Sequence, residues 1–165
     1  METLTEENKK QVRYAGFWLR FVAYLIDNMI LFVGGLLLTL PFIGTLILSA
    51  MGLSHEPSGE ELDLLGATGI LASVLLIVLI KYLAGWLYYA LMQSSAKQAT
   101  LGKMAVGAIV TDLQGNRITF ARATARYFSK MITDMTSLIG YILAGVTEKK
   151  QALHDMIAGT LVILK

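Results

Sequence analysis

Cysteine is absent from the 165 residues, which removes disulfides, thiolate metal sites and cysteine nucleophiles together. Histidine occurs twice, at His55 and His154, and the two stand too far apart in sequence for a metal-ligand spacing. Charge is scarce: Asp, Glu, Lys and Arg make up 16% of the chain, where a soluble domain carries about a quarter. A net charge of +2 is too small to suggest a nucleic-acid partner, and none is expected. No nucleophile elbow, zinc-binding helix or paired catalytic carboxylates appear, so neither an enzyme nor a metal or cofactor site is expected. What is abundant is apolar: hydrophobic residues reach 55%, and the mean hydropathy is +0.61. At this length one domain is expected, and water is the wrong solvent for most of it.

Two apolar blocks, 17–40 and 67–92, exceed the roughly 20 helical residues needed to cross a bilayer core. Residues 1–16 form a polar tail without the cleavage pattern of a secretory signal, so helix 1 is expected to remain as an anchor. Pro41 marks the expected end of helix 1, and the apolar stretch after it continues in lipid or returns. The connection 41–66 carries four acids, Glu56, Glu60, Glu61 and Asp63, with neither Lys nor Arg. Basic residues flank the other ends: Lys9, Lys10, Arg13 and Arg20 before and at the start of helix 1, then Lys97, Lys103, Arg117, Arg122, Arg126 and Lys130 after helix 2. Short basic flanks resist translocation, so the N-terminus is expected in the cytoplasm and the acidic loop outside, in a bacterial inner membrane crossed more than once.

Residues 93–131 read differently. Two β-prone runs surround the Gly115-Asn116 turn between Val106 and Phe120, which predicts a small cytoplasmic β-hairpin. After it, Arg122, Arg126 and Lys130 recur at every fourth position, the mark of a basic amphipathic helix whose charged stripe is solvated or faces headgroups. The block 132–147 is short for a span and holds Asp134, so it either crosses with the help of the preceding helix or re-enters. The closing segment 148–165 begins polar and ends apolar, and is expected to dock onto the helices.

Asp27 lies about ten residues into helix 1, near the bilayer midplane at roughly 1.5 Å per residue, and Lys81 reaches the same depth from helix 2. A lone charge at that depth costs roughly 2.5–3.5 kcal/mol on insertion scales, so an Asp27–Lys81 pair is expected, for helix register or for a proton or cation role. Arg20 lies on the same helix face as Asp27 but seven residues away, roughly 10 Å, too far for direct pairing. It either snorkels to lipid phosphate or bonds Asp155 or Asp134. Thr100-Leu-Gly102-Lys103 lacks the earlier glycine and following hydroxyl residue of a phosphate-cradling loop, so nucleotide binding is not expected.

Taken together, Gly16-Phe-Trp-Leu-Arg20 with Asp27, Thr100-Leu-Gly102-Lys103 ahead of Arg122 and Arg126, and Gln151-Ala-Leu-His-Asp155-Met-Ile-Ala-Gly-Thr160 resemble the RDD family of bacterial membrane proteins. By that resemblance Arg20, Asp27 and Asp155 are the arginine and two aspartates of the name. It implies an all-α membrane protein: a compact bundle of two transmembrane helices plus a third, spanning or re-entrant, beside the small hairpin and basic helix. It also implies cation/proton exchange, proposed for some members. Two readings therefore stay open. One is a transporter or transporter subunit exchanging Na⁺ or another monovalent cation for protons at Asp27, completed by an oligomer. The other is a membrane scaffold or accessory subunit that binds a partner membrane protein or anionic lipid.

Overall fold

The computed structural model describes residues 12–51, 60–135 and 139–165. Two long helices carry most of the apolar sequence, α1 (Phe17–Ala50) and α2 (Glu60–Ser94). Within them Phe17–Leu48 and Ala67–Ser94 are long and apolar enough to cross a membrane. Their side chains point outward along most of their length: Met29 and Phe32 are each 71% exposed. Such exposure is unfavourable in water and ordinary in lipid. Short elements follow in the order α3 (Leu101–Ala105), β1 (Ala108–Asp112), α4 (Phe120–Met135), α5 (Ile139–Val146), α6 (Leu153–Ala158) and β2 (Thr160–Leu164). The all-α membrane architecture with a small antiparallel sheet is thus the one expected.

The chain forms two compact units, Met29–Leu87 on one hand and Met1–Asn28 with Tyr88–Lys165 on the other. The first contains only the outer lengths of α1 and α2. There α1 runs straight through Pro41, the expected stop. Proline removes one intrahelical donor, the partner of the Leu37 carbonyl four residues earlier, a loss that a transmembrane helix tolerates. The connection 41–66 is accordingly helical to Ala50 and again from Glu60, and residues 52–59 of the expected exported loop lie outside the described ones.

In the second unit the expected hairpin is replaced by a pairing of greater reach. β1 pairs antiparallel with β2 from the chain's end, with Val110 opposite Val162. Of the expected return strand, a single bridge between Thr111 and Arg117 forms around the turn. That strand has no length to offer, because the Thr119 hydroxyl accepts from Arg122 N at 3.2 Å and opens α4. The turn itself is held by the Asp112 carboxylate, which accepts from Gln114 N at 2.9 Å and Asn116 N at 2.8 Å. The other edge of β2 is covered as well: Ala15 N donates to Val162 O at 2.9 Å and Leu164 N to Arg13 O at 2.7 Å. The apolar tail thereby ties the sheet to the start of α1.

The basic stripe of α4 is split, against the expected solvated or headgroup-facing position of all three: Arg122 is exposed, but Lys130 is half-buried and Arg126 buried. Ala123, Arg126, Ser129 and Thr133 are buried, while Phe128, Ile132 and Met135 are exposed, the last by 86%. An apolar face outward and a polar face inward suits a helix whose outer solvent is hydrocarbon. The expected third helix, 132–147, is divided between the end of α4 and α5. Residues 136–138 lie outside the described ones, and the eight residues of α5 are too few to span by themselves.

Candidate functional site

Asp155 is fully buried on α6, a short helix closed by Gly159 in the left-handed conformation at φ 61°. Two guanidinium groups meet it. Arg20 donates through Nη1 to Oδ2, while Arg126 donates to Oδ1 through Nε at 2.8 Å and Nη2 at 2.5 Å. The other nitrogens of both arginines are engaged as well: Arg20 donates to the Ala15 and Lys150 carbonyls at 2.8 and 2.7 Å, and Arg126 to Gln93 Oε1 at 2.6 Å. Burial alone would push the Asp155 carboxyl up, but Arg126 and then Arg20 hold it far below the usual carboxylate range. The cluster joins α1, α2, α4 and α6 at one point.

Asp27, also fully buried, closes a second point. Its Oδ1 accepts from the Tyr88 hydroxyl and from Gly102 N, both at 2.7 Å, and its Oδ2 accepts from the Thr100 hydroxyl at 2.6 Å. The same hydroxyls accept in turn, Tyr88 from Leu101 N at 3.1 Å and Thr100 from Lys103 N at 3.4 Å. Asp27 therefore takes the free Gly102 amide at the start of α3 from a distant part of the chain, beside the local cap that Thr100 gives Lys103 N. A Cβ at position 102 would fall on the Ala23 carbonyl oxygen and lie 2.8 Å from the Asp27 carboxyl, so only glycine permits this approach.

The Asp27 carboxylate, for which Lys81 is the expected partner, is occupied by hydroxyl and amide donors of its own unit, and Lys81 is exposed. Asp134 accepts the Tyr141 hydroxyl and takes no part in either cluster. Arg122 lies 3.7 Å from Asp112 on the exposed side of α4.

Against this geometry stands the match to a family model, that of the RDD family, over residues 14–159. The chain belongs to the RDD family. Two proteins of Bacillus subtilis (strain 168) are similar to it along most of their length. One, named YxaI and described as uncharacterized, is 33% identical over 152 residues, 92% of this chain and 97% of that protein. The other, an uncharacterized membrane protein named YteJ, is 32% identical over 161 residues, 91% of this chain and 80% of its own. No solved structure matches.

In this RDD protein, then, the arginine and the second aspartate form one ion-paired cluster, and the first aspartate forms the separate clamp on α3. Several participants carry no obvious signal in the sequence. Tyr88 and Gln93 lie in the run that makes α2, where nothing in the sequence sets them apart. Arg126 reads as one of three surface charges. His154 sits beside Asp155 with Nε2 at 3.5 Å from Oδ1, and burial lowers its pKa to about 3, so it is neutral.

Both clusters border a cavity of about 290 Å³. Rings wall it, among them Phe17, Phe21, Tyr24, Tyr89 and Tyr141, and four cationic side chains reach it: Arg20, Lys103, Arg126 and Lys130. The two lysines sit over aromatic faces, Lys130 Nζ at 4.4 Å from the Tyr24 ring centre and Lys103 Nζ at 5.6 Å from that of Tyr89. Among the described residues, the Tyr89 hydroxyl and His154 Nδ1 are buried without a hydrogen-bond partner.

Proposed function

We propose that this membrane protein is a non-transporting scaffold or accessory subunit of a bacterial cytoplasmic membrane, multi-pass with its N-terminus inside, working with a partner membrane protein or a second copy. The orientation rests on the basic flanks of α1 and α2. The reading is carried by the saturation of Asp27. A carrier carboxylate must exchange its proton for a cation, and the cation needs oxygen ligands around it. Asp27 instead accepts from two hydroxyls, each of which itself accepts from a backbone amide, and from one backbone amide that cannot turn round. The arginines on Asp155 add positive charge to the same cavity, which opposes entry of Na⁺ or any other monovalent cation.

The alternative, monovalent cation/proton exchange through Asp27, draws support from one observation: this fully buried carboxylate belongs to the cavity wall. Proteoliposomes loaded with a pH-sensitive dye separate the two. With Na⁺, K⁺ or Li⁺ gradients, the scaffold reading expects no cation-driven proton flux from the wild type or from Asp27→Asn. Flux that the wild type supports and Asp27→Asn loses would overturn it and make Asp27 the carrier.

A further inference from the structure

We propose that the cavity holds one phosphate-type anion, either the headgroup of an anionic phospholipid or a free phosphate ester, between the ammonium groups of Lys103 and Lys130 and the hydroxyl of Tyr89. The proposal rests on the scaffold reading in one respect, namely that the two aspartate clusters are fixed frame rather than moving parts.

The acids near this cavity have hydrogen-bond partners of their own, although Asp27 and Asp134 in its wall also attract the lysines through space. Asp155 is shared by two arginines, Asp27 is filled by three donors, and Asp134 takes the Tyr141 hydroxyl. The two lysines, by contrast, have ring faces as their neighbours, and among the described residues neither forms an ion pair. Both approach the same Tyr89 ring, at 5.6 and 5.8 Å from its centre, and that residue's hydroxyl is buried without a partner. Two ammonium groups thus gather around one ring whose own hydroxyl is without a partner. An anion with several oxygens can accept from all three, whereas a cation would meet the two ammonium groups as like charges. Burial, with Arg126 next, lowers Lys103 to about 7 against the pull of Asp27, so an incoming anion would also hold its ammonium charged.

The surroundings agree with an amphiphile. The walls are aromatic, which suits the glycerol and upper acyl region of a lipid. His154 also belongs to the cavity wall, and its buried Nδ1 is unpaired: with Nε2 directed at Asp155, Nδ1 is left as an acceptor for a hydroxyl such as that of a glycerol headgroup. The cavity is built from the first turns of α1 and the last turns of α2, the ends flanked by basic residues, where lipid phosphates lie.

Delipidated full-length protein in a non-ionic detergent, titrated with phosphatidylglycerol or phosphatidylcholine and followed by native mass spectrometry, tests the proposal. One saturable phosphatidylglycerol per chain is expected, with phosphatidylcholine weaker by about tenfold and Lys103→Gln/Lys130→Gln weaker for phosphatidylglycerol by about tenfold, the scale of a lost charged hydrogen bond. A parallel titration with inorganic phosphate separates the sources: saturable binding with the same lysine dependence points to a free ester, and binding of lipid alone to a headgroup. Equal affinity of wild type and double variant, or no saturable binding of either ligand, overturns the proposal. Should the double variant not fold, Tyr89→Phe keeps the ring and removes only the hydroxyl; a loss of about two- to tenfold is expected, and unchanged affinity overturns the site. A negative result here leaves the flux experiment untouched, and Asp27-dependent flux leaves a lipid adduct standing, so the two readings fail separately.

Discussion

The segment Met29–Leu87 and the rest of the chain solve the same problem of living in lipid by opposite means. In the former, polar groups look after themselves: Thr39 and Thr45 donate to carbonyls of their own helix, at Gly35 and Phe42. One hydroxyl contact, Thr45 to Ser73 at 3.3 Å, joins two stretches of it. In the latter, polar groups from five helices are spent on each other, and apolar side chains such as Phe128 and Met135 are turned outward. The difference teaches what specifies packing in a membrane. Lipid tails are as apolar as leucine, so burying leucine organises little there, whereas a buried ion pair or clamp has few alternative partners.

Substitutions that break the polar side of this comparison should cost the most. Asp155→Ala leaves Arg20 and Arg126 facing each other in a buried site and should destabilise by about 3–5 kcal/mol, read as the unfolding midpoint in mixed micelles. Next comes Gly102→Ala, where the new methyl must displace Asp27 or the Ala23 carbonyl; a loss of about 1–3 kcal/mol is expected in the same assay.

Acid should act on the same unit in two steps. Burial lowers His154 to about 3 from an ordinary value near 6.5, so between those values the unfolded chain binds a proton that the folded chain refuses. Stability should therefore decline as pH falls from about 6.5, by at most about 1.4 kcal/mol per pH unit. For Asp155 the depressed pKa gives a contribution that is intact above about 4 and is lost as pH falls further. His154→Gln should flatten the first decline and leave the second, as melting temperatures across pH 3–8 would reveal. The smallest effect belongs to Lys81→Met, an exposed position in the apolar segment: a change within about 0.5 kcal/mol is expected, and a loss near that of Asp155→Ala would restore Lys81 as a buried partner.

Much of the architecture is legible in composition and run length. The spans, the family motifs and the special standing of Arg20, Asp27 and Asp155 need no coordinates, because an ionisable residue in an apolar run is conspicuous. Pairing is another matter. Depth alone suggested Lys81 for Asp27, yet depth does not say which face a side chain occupies, and an amide and two hydroxyls satisfied the carboxylate instead. Arg126 was misplaced for a related reason. A stripe of every fourth residue says that a helix is two-sided, but not which side faces in. The hairpin failed because β1 found a longer apolar partner 52 positions further on, Val162 against Val110, than the three residues before α4 could offer.

By itself, then, the sequence determined the solvent, the number of the long helices and which charges had to be accounted for. These follow from transfer free energies and from local pattern, quantities that add along the chain. Tertiary structure alone decided that Asp155 is shared by two arginines, that Asp27 clamps α3, and that two lysines converge on Tyr89. Those outcomes depend on which side chains from distant segments arrive at one point with geometry good enough to offset desolvation, and no sum along the chain contains that information.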